Sequence, residues 1–522
     1  MAELSPLQLS CGVVRYRPRQ VCGYFTLRVQ IHGLRKLSIQ VQGGDRIGLI
    51  WAGSEGLIMR CRRFLFALKT IRDCIFSRRA QAVLGLAAMF LVIGLEACRD
   101  TAQPASPVTI TLLDPGWLDQ EFIAWRMHEE DEFTRETGIR VKDLPAPETA
   151  IDQLALWRKL LQNPTDAPDV FAIDVIWPAL TAEYSLDLSP YLADTTGDFP
   201  MLAANDTVNG KLLSMPYHAD AGLLFYRTDL LREYGYRAPP STWDELERMA
   251  ARIQKGERSK GKKDFWGYVW EGAASEALTC NALEWQASEG GGRIIDNDKT
   301  ITVNNPATIR AWQRAAGWIG SISPPSVTAY REWDALNVWR SGNAAFMRNW
   351  PTSYVTSENS GINGRFGASL LPAGRAGHTA TLGGASLSVY RNSRHAKEAT
   401  ALVRFLCRRD VELARASATS QPPVMPDLYT VPEVLGARPH FAELERILEH
   451  GVAVRPSTIT GSNYAQVSAA YFNAVHSVLK KEKGASEAVA DLEKELVRIT
   501  GFPAHSPASE SASDDKRLNH GN

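Results

Sequence analysis

Apolar and polar positions follow three regimes along the chain. Residues 1–77 show no sustained helical or strand period, residues 80–95 carry no charge, and from Val108 the pattern switches repeatedly between period two and period 3.6. VTITLL (108–113) alternates as a strand, and FIAWRMHEEDEFTRETG (122–138) is amphipathic and should end as a helix at Gly138. IRVKDLPAP then reads as a second strand. Strand, helix, strand is the βαβ unit of an open α/β sheet. The pattern continues with a helix over 150–162, the apolar strand DVFAIDVIW (169–177) and a helix near 178–185. Open α/β sheets bind ligands outside the carboxyl ends of their strands, which makes Asp174 and Trp177 candidates. A helix N-cap is the competing role for Asp174.

The stretch GKLLSMPYHADAGLLFYRTDLLREYGYRAPPSTWDELERMAARI (210–253) joins a turn, an extended apolar strand, a helix and a second helix. That second helix opens at the capping sequence Ser241-Thr242-Trp243-Asp244-Glu245. At 522 residues the chain exceeds what one core organises, so two lobes plus non-core segments are expected. Net charge is zero, so nothing draws the chain toward nucleic acid. The 14 Trp are many, and most belong in cores, but an indole face also suits the stacking of sugar rings. Seven Cys form no CxxC motif and no Cys/His cluster, which argues against a structural metal, and no cofactor motif is found.

The uncharged run 80–95 follows Arg78-Arg79 and would rise only about 24 Å as a helix, short of a comfortable span. It ends Leu95-Glu96-Ala97-Cys98, which resembles the bacterial lipobox, with Glu96 departing from the pattern. Residues 78–98 are therefore a signal with lipidated Cys98, or a retained membrane anchor. Residues 1–77 hold twelve Lys/Arg against four Asp/Glu and are expected to be a non-domain extension. A start recorded too early, with Met59 as initiator, or a cytoplasmic basic arm would explain them. TAQPASP supplies a tether over 99–106, and the polar tail 503–522 reads as disordered.

The 210–253 stretch resembles the sugar-binding lipoproteins of bacterial ABC importers, solute-binding family 1, of the trehalose/maltose type. Their DAGLLYYR, DLL and PPxTW pattern is matched almost residue for residue. FWGYVWEGAASEALTCNALEWQASEGGG, NVWRSGNAAFMRNWPTSY, TLGGASLSVYRNSRHAKEATALVRFL and VAVRPSTITGSNYAQVSAAYFNAVHSVLKKEKGASEAVADLEKEL resemble later family blocks in the right order, over roughly 107–502. The resemblance implies an α/β, two-lobed periplasmic-binding-protein fold of type II, maltose-binding-protein-like, with a hinge and an interlobe cleft. Lobe I would hold 107–218 and 383–452, and lobe II 219–382 and 453–502.

It also implies a site. Asp174, His218 and Asp220 would line the cleft, with Trp350 a stacking platform, Gly384 a close backbone approach and Arg455 a hydroxyl-binding guanidinium. Glu276 and Gln153 are further candidates, and one of Trp117, Asp119 or Glu121 should reach the ligand. Three departures bear on the ligand. Ala385 stands where relatives commonly carry Trp, His218 replaces a tyrosine, and SATSQPPVMPDLY lacks the usual Gly-Tyr-Asn-Pro turn. Cys280 and Cys407 fall in different lobes, so two free buried thiols are expected.

The implied function is non-enzymatic. A monomeric receptor at the periplasmic or cell-surface side of the membrane, held by Cys98, would bind a di- or oligosaccharide and deliver it to an ABC permease, without cofactor. A glycoside hydrolase and a ligand-binding sensor subunit are the alternatives.

Overall fold

The computed structural model describes residues 24–29, 37–42 and 46–50, and residues 107–505 except 115–119, 148–149, 164, 166 and 192–196. The chain divides into two units, Met1–Ala102 and Gln103–Asn522. In the first, β1 (Tyr24–Val29), β2 (Leu37–Gln42) and β3 (Arg46–Ile50) form an antiparallel sheet with β2 central. This corrects the reading of residues 1–77 as lacking a strand period. LSIQVQ alternates apolar and polar over only six residues, too short a run to stand out against its surroundings. The apolar run 80–95, Cys98 and the 99–106 tether lie outside the described residues.

The second unit contains β4 (Thr109–Leu113), β5 (Arg140–Asp143), β6 (Val170–Asp174), the short pair β7 (Thr207–Val208) and β8 (Lys211–Leu212), and β9 (Met215–Ala221). It continues through β10 (Leu223–Arg227), β11 (Trp266–Val269), β12 (Ala344–Asn349), β13 (Phe366–Leu370), β14 (Ala380–Val389) and β15 (Val452–Ala453). One sheet has the order β15-β14-β6-β4-β5, with β9 also paired to β14, and the other has the order β11-β12-β10-β13. In β6, Val170 and Ala172 enter one hydrophobic cluster while Phe171 and Ile173 enter another. That is the period of two of a strand covered on both faces.

The helix Gln120–Thr137 follows β4 and ends at Gly138, whose φ of +76° is left-handed. The helix Trp243–Ser259 starts as its sequence requires: Thr242 Oγ1 accepts from Glu245 N at 3.2 Å, and Glu245 Oε2 accepts from Ser241 N at 2.8 Å. Trp243, Trp270, Trp285 and Trp318 pack ring on ring, with centroids 5.0–6.3 Å apart. These four indoles are core residues, as expected for most of the tryptophans.

The chain crosses from the first sheet to the second at Gly222, the single residue between β9 and β10. A Cβ there would stand 2.3 Å from Glu284 Oε1 and 2.6 Å from Arg348 Nη2, so glycine is required by packing. The return crossing enters β14, where Thr381 N donates to Glu284 Oε1 at 3.2 Å and Thr381 Oγ1 donates to Cys280 O at 2.9 Å. Both crossings are thus pinned to one helix, Glu276–Ser288. β9 stays in the first sheet to Ala221 and β14 joins it from Ala380, whereas the sequence reading set the changeovers at 218 and 383. Cys280 and Cys407 are free and buried. The tail is held further than expected: Ala504 bridges Ile301, and His505 N donates to Ile301 O at 2.9 Å.

His440 offers a pH test of the packing. Its ring stacks on Tyr354 with centroids 4.1 Å apart, and burial, aided by Arg438, lowers its pKa to about 3. A histidine held neutral below its unfolded value of about 6.5 stabilises the fold fully above that pH, and the contribution is lost as pH falls toward 3. Relative to the parent chain, His440→Phe should recover about 2 kcal/mol of unfolding free energy on going from pH 8 to pH 5. Denaturant unfolding at the two pH values measures this. Equal pH dependence in both chains would mean that His440 is protonated in place.

Candidate functional site

The carboxyl end of β6 delivers Asp174 beside the middle of β14, with Asp174 opposite Ala385. On the other edge of β14, Gly383 faces Asp220 and Ala385 faces His218. Three segments therefore meet where the sheets exchange strands. Ala385 is buried, so no side chain larger than a methyl enters from that position.

Asp220 and Trp350 are brought together here. A Cβ on Gly383 would lie 2.7 Å from Trp350 Cζ3 and 3.1 Å from Asp220 Cβ, so the indole lies over Gly383 alongside the Asp220 side chain. Asp220 is 7% exposed, and its Oδ1 has no hydrogen-bond partner among the described residues. Burial holds this carboxyl well above the usual carboxylate range, with Arg348 opposing the shift and Asp174 adding to it.

The indole of Trp350 is set from two sides. Asn349 Oδ1 accepts from Trp350 N at 2.8 Å, and the Arg348 guanidinium lies 4.2 Å from the ring centroid. Arg348 is itself buried in a forked pair with Glu284, at 3.0 and 2.5 Å, with Glu271 at 3.5 Å. Burial raises the Glu271 pKa to about 7, and Arg348 limits the rise. The sequence reading missed Arg348, Glu284 and Glu271. The available signal was an arginine inside AAFMRN, a strand otherwise apolar enough to be buried throughout.

Arg455 and Glu276 also meet, but chiefly with each other. Arg455 Nη1 donates to Glu276 Oε1 at 2.8 Å and Nη2 to Leu382 O at 2.9 Å, with Asp174 3.7 Å away. Glu276 also accepts from the Tyr464 hydroxyl and, at 2.6 Å, from Ser468 Oγ. Arg455 thus ties β6, β14 and the Glu276–Ser288 helix together, and Glu276 is its anchor. The sequence reading expected a hydroxyl-binding guanidinium; here one N–H of each terminal nitrogen is taken up by Glu276 and Leu382. Asp174 keeps an exposed edge. Its Oδ1 accepts from Ile176 N at 3.1 Å in a local turn, and the N-cap position of the following helix is held by Trp177, which makes no side-chain capping bond. Burial pushes its carboxyl up, while Arg455 opposes the shift.

Gly384, His218 and Gln153 each make contacts within the first sheet and its surroundings. Gly384, at φ +114°, would place a Cβ 2.2 Å from His218 O, so its close approach is to β9, where the β9–β14 register shifts. The buried His218 ring packs near Phe122 and Tyr217, and burial, with Arg415, lowers its pKa to about 3. It therefore carries no charge toward the cleft. Gln153 is buried and donates to Pro147 O at 3.0 Å, fastening the segment after β5. Glu121 sits exposed in the first turn of the Gln120–Thr137 helix, while Trp117 and Asp119 lie outside the described residues.

An indole face, a buried carboxyl beside it and a half-open carboxylate facing the same strand suit a ligand with weakly apolar faces and paired donors. Among the described residues, no group of three or more His, Cys, Asp or Glu is placed to hold a metal.

The model of the bacterial extracellular solute-binding proteins matches residues 120–411. A probable ABC transporter-binding protein of Deinococcus radiodurans is 44% identical over 415 residues, 78% of this chain and 98% of that protein. Maltose-bound MalE3 of T. maritima is 32% identical and superposes with a TM-score of 0.69 over 75% of this chain and all of that one. The GacH receptor of Streptomyces glaucescens, solved unliganded and with acarbose, has a TM-score of 0.65 at 23% identity, covering 76% of this chain and 99% of that one. These superpositions show the expected two-lobed, maltose-binding-protein-like fold. Such relatives are binding proteins of transporters, in a family that acts in the periplasm or at the cell surface. With more than half its length matched by the family model, the chain belongs to the bacterial extracellular solute-binding proteins.

Proposed function

We propose that this protein is the substrate-binding component of an ABC sugar importer, holding a di- or oligosaccharide between its two lobes and presenting it to the permease. The observation that carries the reading is Trp350 lying over Gly383 beside the carboxyl of Asp220. A pyranose ring offers an apolar face to the indole and adjacent hydroxyls to a buried carboxylate. Hinge closure would expel water and strengthen those hydrogen bonds. The maltose in the MalE3 structure supports the same class of ligand. In this reading Cys98 carries the lipid that holds a monomeric receptor at the membrane, and no metal or cofactor takes part.

The test is a thermal-shift panel of di- and oligosaccharides, sugar alcohols and phosphosugars on the full chain. A bound sugar at a hundred times its dissociation constant should add about 2.7 kcal/mol to unfolding. A shift with phosphosugars alone would overturn the neutral-sugar assignment, and cleavage of a bound glycoside would replace a receptor with a hydrolase.

A further inference from the structure

Trp350 is one aromatic platform, and the position where relatives commonly supply another is the buried Ala385. The described tryptophans are buried or half-buried with one exception: Trp333 is 49% exposed. Leaving an indole in water forgoes one of the largest gains available from burial, so a half-exposed one draws attention to what covers it.

Its helix is tied to the Trp350 platform. Trp333 is the second residue of the helix Glu332–Arg340, whose start is held by Asp334 Oδ2 accepting from Arg331 N at 2.9 Å. Asn349 then joins this helix to the platform. Its Nδ2 donates to Glu332 O at 3.1 Å while its Oδ1 accepts from Trp350 N at 2.8 Å. One side chain therefore sets both the backbone of the inner tryptophan and the helix turn that carries the outer one. The Glu332 carboxylate also acts on Asp174, which belongs to the first sheet, and on Glu271 in the second. Through Asn349 the first turn of this helix adjoins the Trp350 platform.

We infer that Trp333 is an outer stacking platform at the cleft mouth, and that the ligand is an oligosaccharide extending from the Trp350–Asp220 site past the Glu332–Arg340 helix. The inference rests on the sugar reading above and deepens it. Trp350 and Asp220 hold the innermost ring, and Trp333 covers the face of a ring beyond it. Chain length, more than the identity of the first ring, is what Trp333 reads.

The experiment is isothermal titration of the full chain with maltose, maltotriose, maltotetraose and maltohexaose, in the parent, Trp333→Ala and Trp333→Tyr. Trp333 is half exposed, so neither substitution empties a core. Trp333→Ala should weaken binding of the tetra- and hexasaccharide about fivefold or more beyond its effect on maltose, and Trp333→Tyr should restore most of the difference. Equal losses at every length, or none, would overturn the inference, as would impaired uptake with unaltered titrations, which would assign Trp333 to a protein-docking surface. A parent chain that binds none of this series overturns the inference for α-linked glucans. If it also responds to no sugar in the thermal-shift panel, the sugar reading itself fails.

Discussion

Asp220→Asn is expected to weaken sugar binding by about a hundredfold while making the unliganded protein more stable at neutral pH. The two effects have one cause. Asp220 is nearly buried, and one of its oxygens has no hydrogen-bond partner among the described residues, so the empty site carries a carboxyl stripped of most of its water. Hydrogen bonds to a charged group contribute about 1.5–3 kcal/mol each, and a pair of adjacent sugar hydroxyls can make two. In the empty protein the folded pKa lies above the unfolded value of about 3.9. The folded state therefore holds its proton longer, and stability falls as pH rises from near 4 toward the folded pKa. An amide does not titrate, so the variant should be the more stable chain at pH 7, with the advantage shrinking as pH falls to 4. Titration calorimetry together with denaturant unfolding at both pH values measures the two effects. If binding and stability fell together, Asp220 would be a structural pin and the site would lie elsewhere.

How far the sequence revealed the site can be judged residue by residue. The helix ending at Gly138, the Thr242 cap and Asp174 at a strand end follow from local patterns, because each depends on neighbours within a few positions. The meeting of Asp220 with Trp350 came from resemblance, since no local rule relates positions so far apart. Gly384 was expected at a close backbone approach, and the approach seen is to His218 O in β9, the strand paired directly with its own but distant in sequence. Arg455 and Glu276 were both selected, yet their mutual ion pair was not legible, because a charged residue in a sequence does not show which opposite charge claims it. The same limit hid Arg348. Its strand reads as apolar core, and only the fold shows that Glu284 and Glu271 arrive from a helix and a loop to neutralise it.

That buried triad leads to the largest expected loss of stability. Arg348→Leu should cost about 3–5 kcal/mol, because it leaves two carboxyls in the interior without their cation. Arg348, Glu284 and Glu271 are all fully buried, and Glu284 also anchors the return crossing through Thr381 N. The loss has a pH signature. Without the guanidinium the buried Glu271 carboxyl, already raised to about 7, holds its proton still more strongly, so the deficit relative to the parent should be greatest above pH 7 and shrink as pH falls toward 4. A smaller change separates charge from geometry. Arg348→Lys keeps the cation but loses the fork on Glu284 and the flat contact under Trp350, so it should recover much of the stability and less of the sugar affinity. Unfolding curves and sugar titrations on both variants test this. Equal recovery of the two properties would mean that Arg348 only neutralises charge, whereas recovery of stability alone would identify its planar face as the support on which the Trp350 platform is held.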